Sequence, residues 1–274
     1  MMNSGSISTK SQKVVAALGV ATMLFMVTSC SNGNAQVAAS PDASSTASAS
    51  PSVAAIPSGP KLGDVINGIP TKTELANDGK GDYIQTTISD DDPAMKFNPA
   101  LASPDVTDAF TAEEIADAQK FIMTFIAEEG IDSVINNNTS DAKNVDAWWA
   151  KNKDKIDPAY QNEFLGQLKS EDLLYTIVMR TNHRTNDLVY GKDTTRVTKR
   201  QITPTIYYVA PMNGVNYVRF DATGNFTMAT KVGDTIQSED TSASFNYTVR
   251  KSNSEHGWMI SGFTNTFTIS RLLY

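Results

Sequence analysis

The chain has 274 residues, with 23 basic and 30 acidic side chains and a net charge of −7 at pH 7. An acidic surface repels nucleic-acid phosphates and anionic lipid headgroups, so neither is an expected partner. One cysteine, Cys30, rules out an internal disulfide, and two histidines, His183 and His256, are too few for an expected transition-metal site; no metal and no cofactor are predicted.

Lys10 and Lys13 precede an apolar run from Val14 to Val27, and no acid occurs among residues 1–29. That is the division of a secretory signal. As a helix, these 14 residues (27 − 14 + 1) span about 21 Å, short of the roughly 30 Å hydrocarbon core. A permanent spanning helix is therefore not expected. Val27-Thr28-Ser29 places one aliphatic and two small residues before Cys30, and this order resembles a bacterial lipobox. The resemblance implies cleavage after Ser29, a lipid on Cys30, and anchorage at the extracytoplasmic face of the cell membrane. Two acyl chains anchor stably where one is marginal. Loss of Lys10 and Lys13 leaves 21 basic and 30 acidic residues, a mature charge of −9.

Residues 30–60 are dominated by Ala, Ser, Pro and Thr, and contain no aromatic side chain. No core can offset the ordering entropy, so this segment reads as a disordered tether. About 30 residues of such chain reach roughly 30 Å as a coil and roughly 100 Å if straight. Its Ser and Thr are possible glycan acceptors by composition.

Residues 61–109 mix turn pairs such as Asn67-Gly68, Asp78-Gly79 and Asp92-Pro93 with scattered apolar residues, among them Tyr83, Ile84, Met95 and Phe97. This reads as a partly ordered lead segment lying over a domain at 110–274. Asp90-Asp91-Asp92 lacks the glycine and distal glutamate of a calcium loop and reads as a solvated turn.

Thr111-Ala112-Glu113-Glu114 is a capping box. Ile115, Ala118, Ile122, Phe125 and Ile126 follow at helical spacing, with Gly130 as the expected C-cap. A second helix is predicted over Val145–Lys155 and carries Trp148 and Trp149; a third starts at Asp157-Pro158 and runs through Phe164 and Leu168. Leu173 to Met179 fits either helix or strand. Strand-like runs then cover Val197 to Tyr208, Val215 to Phe220, Phe226 to Lys231, Ser244 to Val249 and Trp258 to Ile269. Turns are expected at Asn213-Gly214, Gly224-Asn225, Gly233-Asp234 and Ser252–Gly257. Helices first and an antiparallel meander second define an α+β class.

The helix from Thr111, the Trp148-Trp149 helix and the closing run His256-Gly257-Trp258-Met259-Ile260-Ser261-Gly262-Phe263 together resemble the nuclear-transport-factor-2-like, or cone, superfamily. The resemblance covers residues 108–274. It implies N-terminal helices packed on a curved antiparallel sheet around a pocket that hosts enzymes in some members and binding modules in others. The Gly81 to Ser133 stretch also resembles lipoproteins of actinobacteria, a likeness that brings no activity with it.

Fold implies no function here, so chemistry rests on residues. Cone enzymes pair an acid with His or Tyr, which makes His183 with Asp187 the candidate dyad, and Tyr190 and Asp193 its neighbours. His256, beside Glu255, is expected on a surface turn. Arg196, Lys199 and Arg200 read as a basic patch on an exposed strand face. Trp148 and Trp149 are candidate ligand-stacking residues; adjacent helix positions point about 100° apart, so one belongs to the core and one to the rim. No Gly-x-Ser-x-Gly elbow or glycine-rich phosphate loop occurs. The sequence therefore predicts a lipid-anchored, non-enzymatic envelope module whose partner is a protein, peptide or small ligand, with a His/Asp pocket enzyme as the alternative. A globular part of about 165 residues (274 − 110 + 1) is short for a two-lobed transporter-binding protein.

Overall fold

A computed structural model describes residues 65–66, 69–71, 73–136, 142–170, 177–178, 187–209 and 211–270. The signal-like run, Cys30, the tether, His183 and most of Leu173 to Met179 lie outside these residues. Among the described residues no helix is long and apolar enough to cross a membrane.

The architecture mixes a few helices with one large antiparallel sheet. Short strands β1 (Val65–Ile66) and β2 (Ile69–Pro70) pair, and β3 (Thr73–Asn77) pairs with β4 (Asp82–Thr86). Helices α1 (Pro104–Ala109), α2 (Ala112–Phe125), α3 (Ala142–Asn152) and α4 (Gln161–Lys169) follow. The last part holds β5 (Asp187–Leu188), β6 (Val197–Val209), β7 (Val218–Val232), β8 (Thr235–Lys251), β9 (Trp258–Phe263) and β10 (Thr266–Ser270). These form a six-stranded sheet in which β7 pairs with β6, β5 and β8, and β8 pairs with β9 and β10.

The capping box forms as the residues dictate. Thr111 Oγ1 accepts from the Glu114 amide at 3.2 Å, and a Glu114 carboxylate oxygen accepts from the Thr111 amide at 2.9 Å. Ile115, Ala118, Ile122 and Phe125 are buried on one face of α2. Phe125 meets Tyr247 of β8 edge-on at 5.7 Å, which ties helix to sheet.

Four expectations need correction. Gly130 does not cap a helix. It sits inside a π-helical turn, Ile126–Ile131, where a Cβ would lie 3.4 Å from the Phe245 ring. A residue without a side chain lets this widened turn approach β8. The third helix begins at Gln161 rather than at Pro158: Asp157 accepts from the Ala159 amide at 3.1 Å and closes a turn first. Gly224-Asn225 is no turn, because β7 runs through it unbroken and Gly224 pairs with Ala243. The lead segment is also no mere cover, since Tyr83, Ile84, Met95 and Val106 are buried in the core.

The predicted hairpins at Asn213-Gly214 and Gly233-Asp234 form, with Asn213, Gly214 and Gly233 at positive φ. Positive φ at both Asn213 and Gly214 suits a type I′ turn, and positive φ at Gly233 alone suits a type II′ turn, which explains the asparagine and glycines. Ser252–Gly257 links β8 to β9, with the Ser252 amide donating to the Gly257 carbonyl at 2.9 Å.

Candidate functional site

Two polar features stand out: a buried ion cluster and an open groove. The cluster centres on Arg196, which is 0% exposed. Its Nη1 donates to Asp78 at 2.9 Å, and its Nε to Asp132 Oδ1 at 3.2 Å. Nη2 reaches the Ser133 carbonyl at 3.1 Å, and the guanidinium lies 3.4 Å from the centre of the Tyr83 ring. Asp78 also accepts from the Tyr190 hydroxyl at 2.9 Å and from the Lys80 amide at 3.0 Å. One carboxylate thus closes the β3–β4 turn and neutralises the arginine just before β6. Burial pushes the Asp132 carboxyl upward against the pull of Arg196, and pushes the Tyr190 hydroxyl upward as well. Burial also pushes Tyr83 upward.

This overturns the basic patch. Arg196 and Arg200 are both buried, and Arg200 donates to the Thr86 and Thr87 carbonyls at 3.2 and 2.8 Å. Only Lys199 of the three is exposed. Period-two alternation held the clue for Arg200, which is in phase with core residue Ile202. Arg196 falls in the same phase, but a bulge between Val197 and Lys199 shifts the register and its partners Asp78 and Asp132 are far away in sequence, so its ion pairs were not legible.

The other candidates disperse. Asp187 is exposed at the start of β5, with Lys80 at 3.6 Å. His183 lies outside the described residues, so the dyad has no geometry here. Tyr190 is engaged by Asp78, and Asp193 is exposed. Trp148 is 1% exposed and donates Nε1 to Glu129 at 2.6 Å, which removes it from ligand stacking. Trp149 is half-buried, its ring 6.5 Å from that of Trp148. Glu129 is held further by Lys151 at 3.3 Å. His256 is partly exposed, 6.2 Å ring to ring from Phe121, with Nε2 3.4 Å from Glu255; both rings border a shallow cleft of about 560 Å³. Asp92 caps a short 3₁₀ turn, accepting from the Ala94 amide at 2.9 Å. Among the described residues no group of three or more His, Cys, Asp or Glu is placed to hold a metal ion.

The groove has a volume of about 880 Å³. One wall is the segment from Asp92 to Leu101, two 3₁₀ turns capped by Asp92 and Asn98. Buried Gln119 of α2 holds that wall, donating to the Ala94 and Lys96 carbonyls at 2.6 and 3.0 Å. Phe97 packs on Tyr207 at 5.8 Å, and the Ser103 amide donates to the Tyr207 carbonyl at 2.9 Å. The opposite wall is consecutive residues of β6, β7 and β8. Tyr207 and Thr241, 0% and 2% exposed, border the groove, and among the described residues their buried hydroxyls meet no hydrogen-bond partner. Each such group costs about 1–3 kcal/mol until it is satisfied. Burial alone pushes the Tyr207 hydroxyl upward, so it stays a neutral donor. The site is not legible in the sequence, because its wall residues read as turn and strand punctuation.

Compared with known families, curated proteins and solved structures, the chain matches none.

Proposed function

We propose that the chain is a non-enzymatic, lipid-anchored binding module on the extracytoplasmic face of the cell membrane, recognising its ligand at the open groove. Its architecture is read as cone-like, with helices on a curved antiparallel sheet. The lipid sits on Cys30, and the Ala/Ser/Pro-rich segment 30–60 spaces the domain from the membrane. One observation carries the binding reading. Where a cone-type enzyme keeps its substrate, between helix and sheet, lie Ile122, Phe125, Trp148, Phe245 and Tyr247, each at most 1% exposed. Recognition therefore falls to the outside, where the groove offers volume and exposed polar side chains.

The test is a pull-down from solubilised envelope with the full lipidated chain, beside Gln201→Arg and Lys199→Glu, both exposed groove positions. A partner retained by the parent and lost by the variants is the expected result. Equal retention by all three, or by none, rejects the groove as the binding site. For the anchor, metabolic labelling with an alkyne fatty acid should mark the parent and leave Cys30→Ser unmarked.

A further inference from the structure

The groove's polar groups define a ligand class, an inference that rests on the binding reading above. Lys96, Asn98, Lys199, Gln201 and Asn225 are all exposed and line it. Among the described residues their side-chain nitrogens make no hydrogen bond, since Asn98 and Asn225 are engaged only through Oδ1. Asp92 and Asp240 add acceptors; Asp92 caps its turn and Asp240 accepts from Thr227 at 2.6 Å, which leaves lone pairs on each.

Charge and backbone narrow the choice. Exposed Lys96 and Lys199 face Asp92 and Asp240, and the third cation of the lining, Arg200, is buried and spent on the Thr86 and Thr87 carbonyls, so the groove is close to charge balance and has no concentrated positive field for a polyanion such as a nucleotide. Donors and acceptors this dense would be stranded against a fatty ligand. An extended peptide adding to β6 meets Pro204, which lacks an N–H, and two register shifts that break the ladder. A compact, uncharged ligand that donates and accepts at every position satisfies the remaining groups. Side-chain amides and carboxylates can each bond a neighbouring pair of hydroxyls, and Leu101, Ile69 and Pro204 supply apolar contact for ring C–H faces. We infer that the groove binds a neutral oligosaccharide.

The experiment titrates the full chain, by calorimetry and by amide chemical shifts, with chitotriose, cellotriose and maltotriose. At least one sugar should bind saturably. Binding should weaken about tenfold or more in the Gln201→Ala/Asn225→Ala double variant. Both positions are exposed and leave the core intact, and an unchanged urea midpoint verifies folding. No saturable binding by any sugar overturns the inference, as does binding that the double variant leaves unchanged. A capped tripeptide, acetyl-Ala-Phe-Ala-amide, separates the two levels. Uptake of the peptide with none of the sugars rejects the saccharide and leaves the binding module standing.

Discussion

The guanidinium of Arg196 is surrounded by two carboxylates, the Ser133 carbonyl and the face of Tyr83, and is fully shielded from water. Such a cluster is weak evidence for net stability, because desolvating three charges offsets much of their attraction. Breaking it is another matter, since the buried Asp78 and Asp132 would then lose the guanidinium that they share. Arg196→Met should lower unfolding free energy by about 3–5 kcal/mol. Arg196→Lys should recover little, because one ammonium cannot reproduce the planar fork that serves both acids. Urea unfolding followed by tryptophan fluorescence measures both. The penalty for Arg196→Met should shrink as pH is lowered, because protonation neutralises the stranded carboxylates. A penalty that stays constant down to acid pH would show that lost packing, not stranded charge, is the cause.

At the scale of elements, Gly224 shows how a strand can hide behind turn residues. Gly224-Asn225 carries turn composition, yet β7 passes straight through because Gly224 faces the ring of Phe245. An added Cβ would meet Phe245 Cε2 at 2.7 Å, and that ring is locked by Phe267 and Tyr247 at 5.6 and 6.5 Å. Gly224→Ala should therefore cost about 1–3 kcal/mol through overpacking. The pair Gly224→Ala/Phe245→Leu should cost less than the sum of its two single changes. Additive losses in a double-mutant cycle would put the cause in the backbone instead. The same distinction explains what the sequence could show. The capping box and the hairpin turns at Asn213-Gly214 and Gly233-Asp234 depend on neighbouring residues, and all were legible. The π-helical turn, the unbroken β7 and the Arg196 cluster depend on partners tens of residues away. So does the groove, whose wall is a 3₁₀ segment pinned by Gln119 from the next helix. Local pattern carries no information about such partners.

For the whole molecule, the contacts with most leverage join distant parts of the chain, and Asp157 reaches three such residues, Arg250, Ile260 and Ser261. Its amide donates to the Ile260 carbonyl at 2.9 Å, and its carboxylate accepts from Arg250 Nη2 at 2.9 Å, Ser261 Oγ at 2.8 Å and the Ala159 amide. One residue thus fastens the α3–α4 connection to β8 and β9. The Arg250 hydrogen bonds hold its carboxyl below the usual value of 3.8. A depressed folded-state pKa contributes stability that is complete above the unfolded value and fades as pH falls through the folded one. Asp132 acts in the opposite sense. Its raised carboxyl contributes most when protonated, and that contribution is lost as pH rises through its folded value. Acid unfolding should therefore follow the Asp157 clamp more than the Arg196 cluster. Asp157→Asn should be less stable than the parent at pH 6, and the gap should close as pH drops below about 4. Urea midpoints at pH 6, 4 and 3 give the test. A gap of constant size across that range would mean that the clamp acts through its neutral hydrogen bonds, and acid sensitivity would then have to arise elsewhere in the sheet.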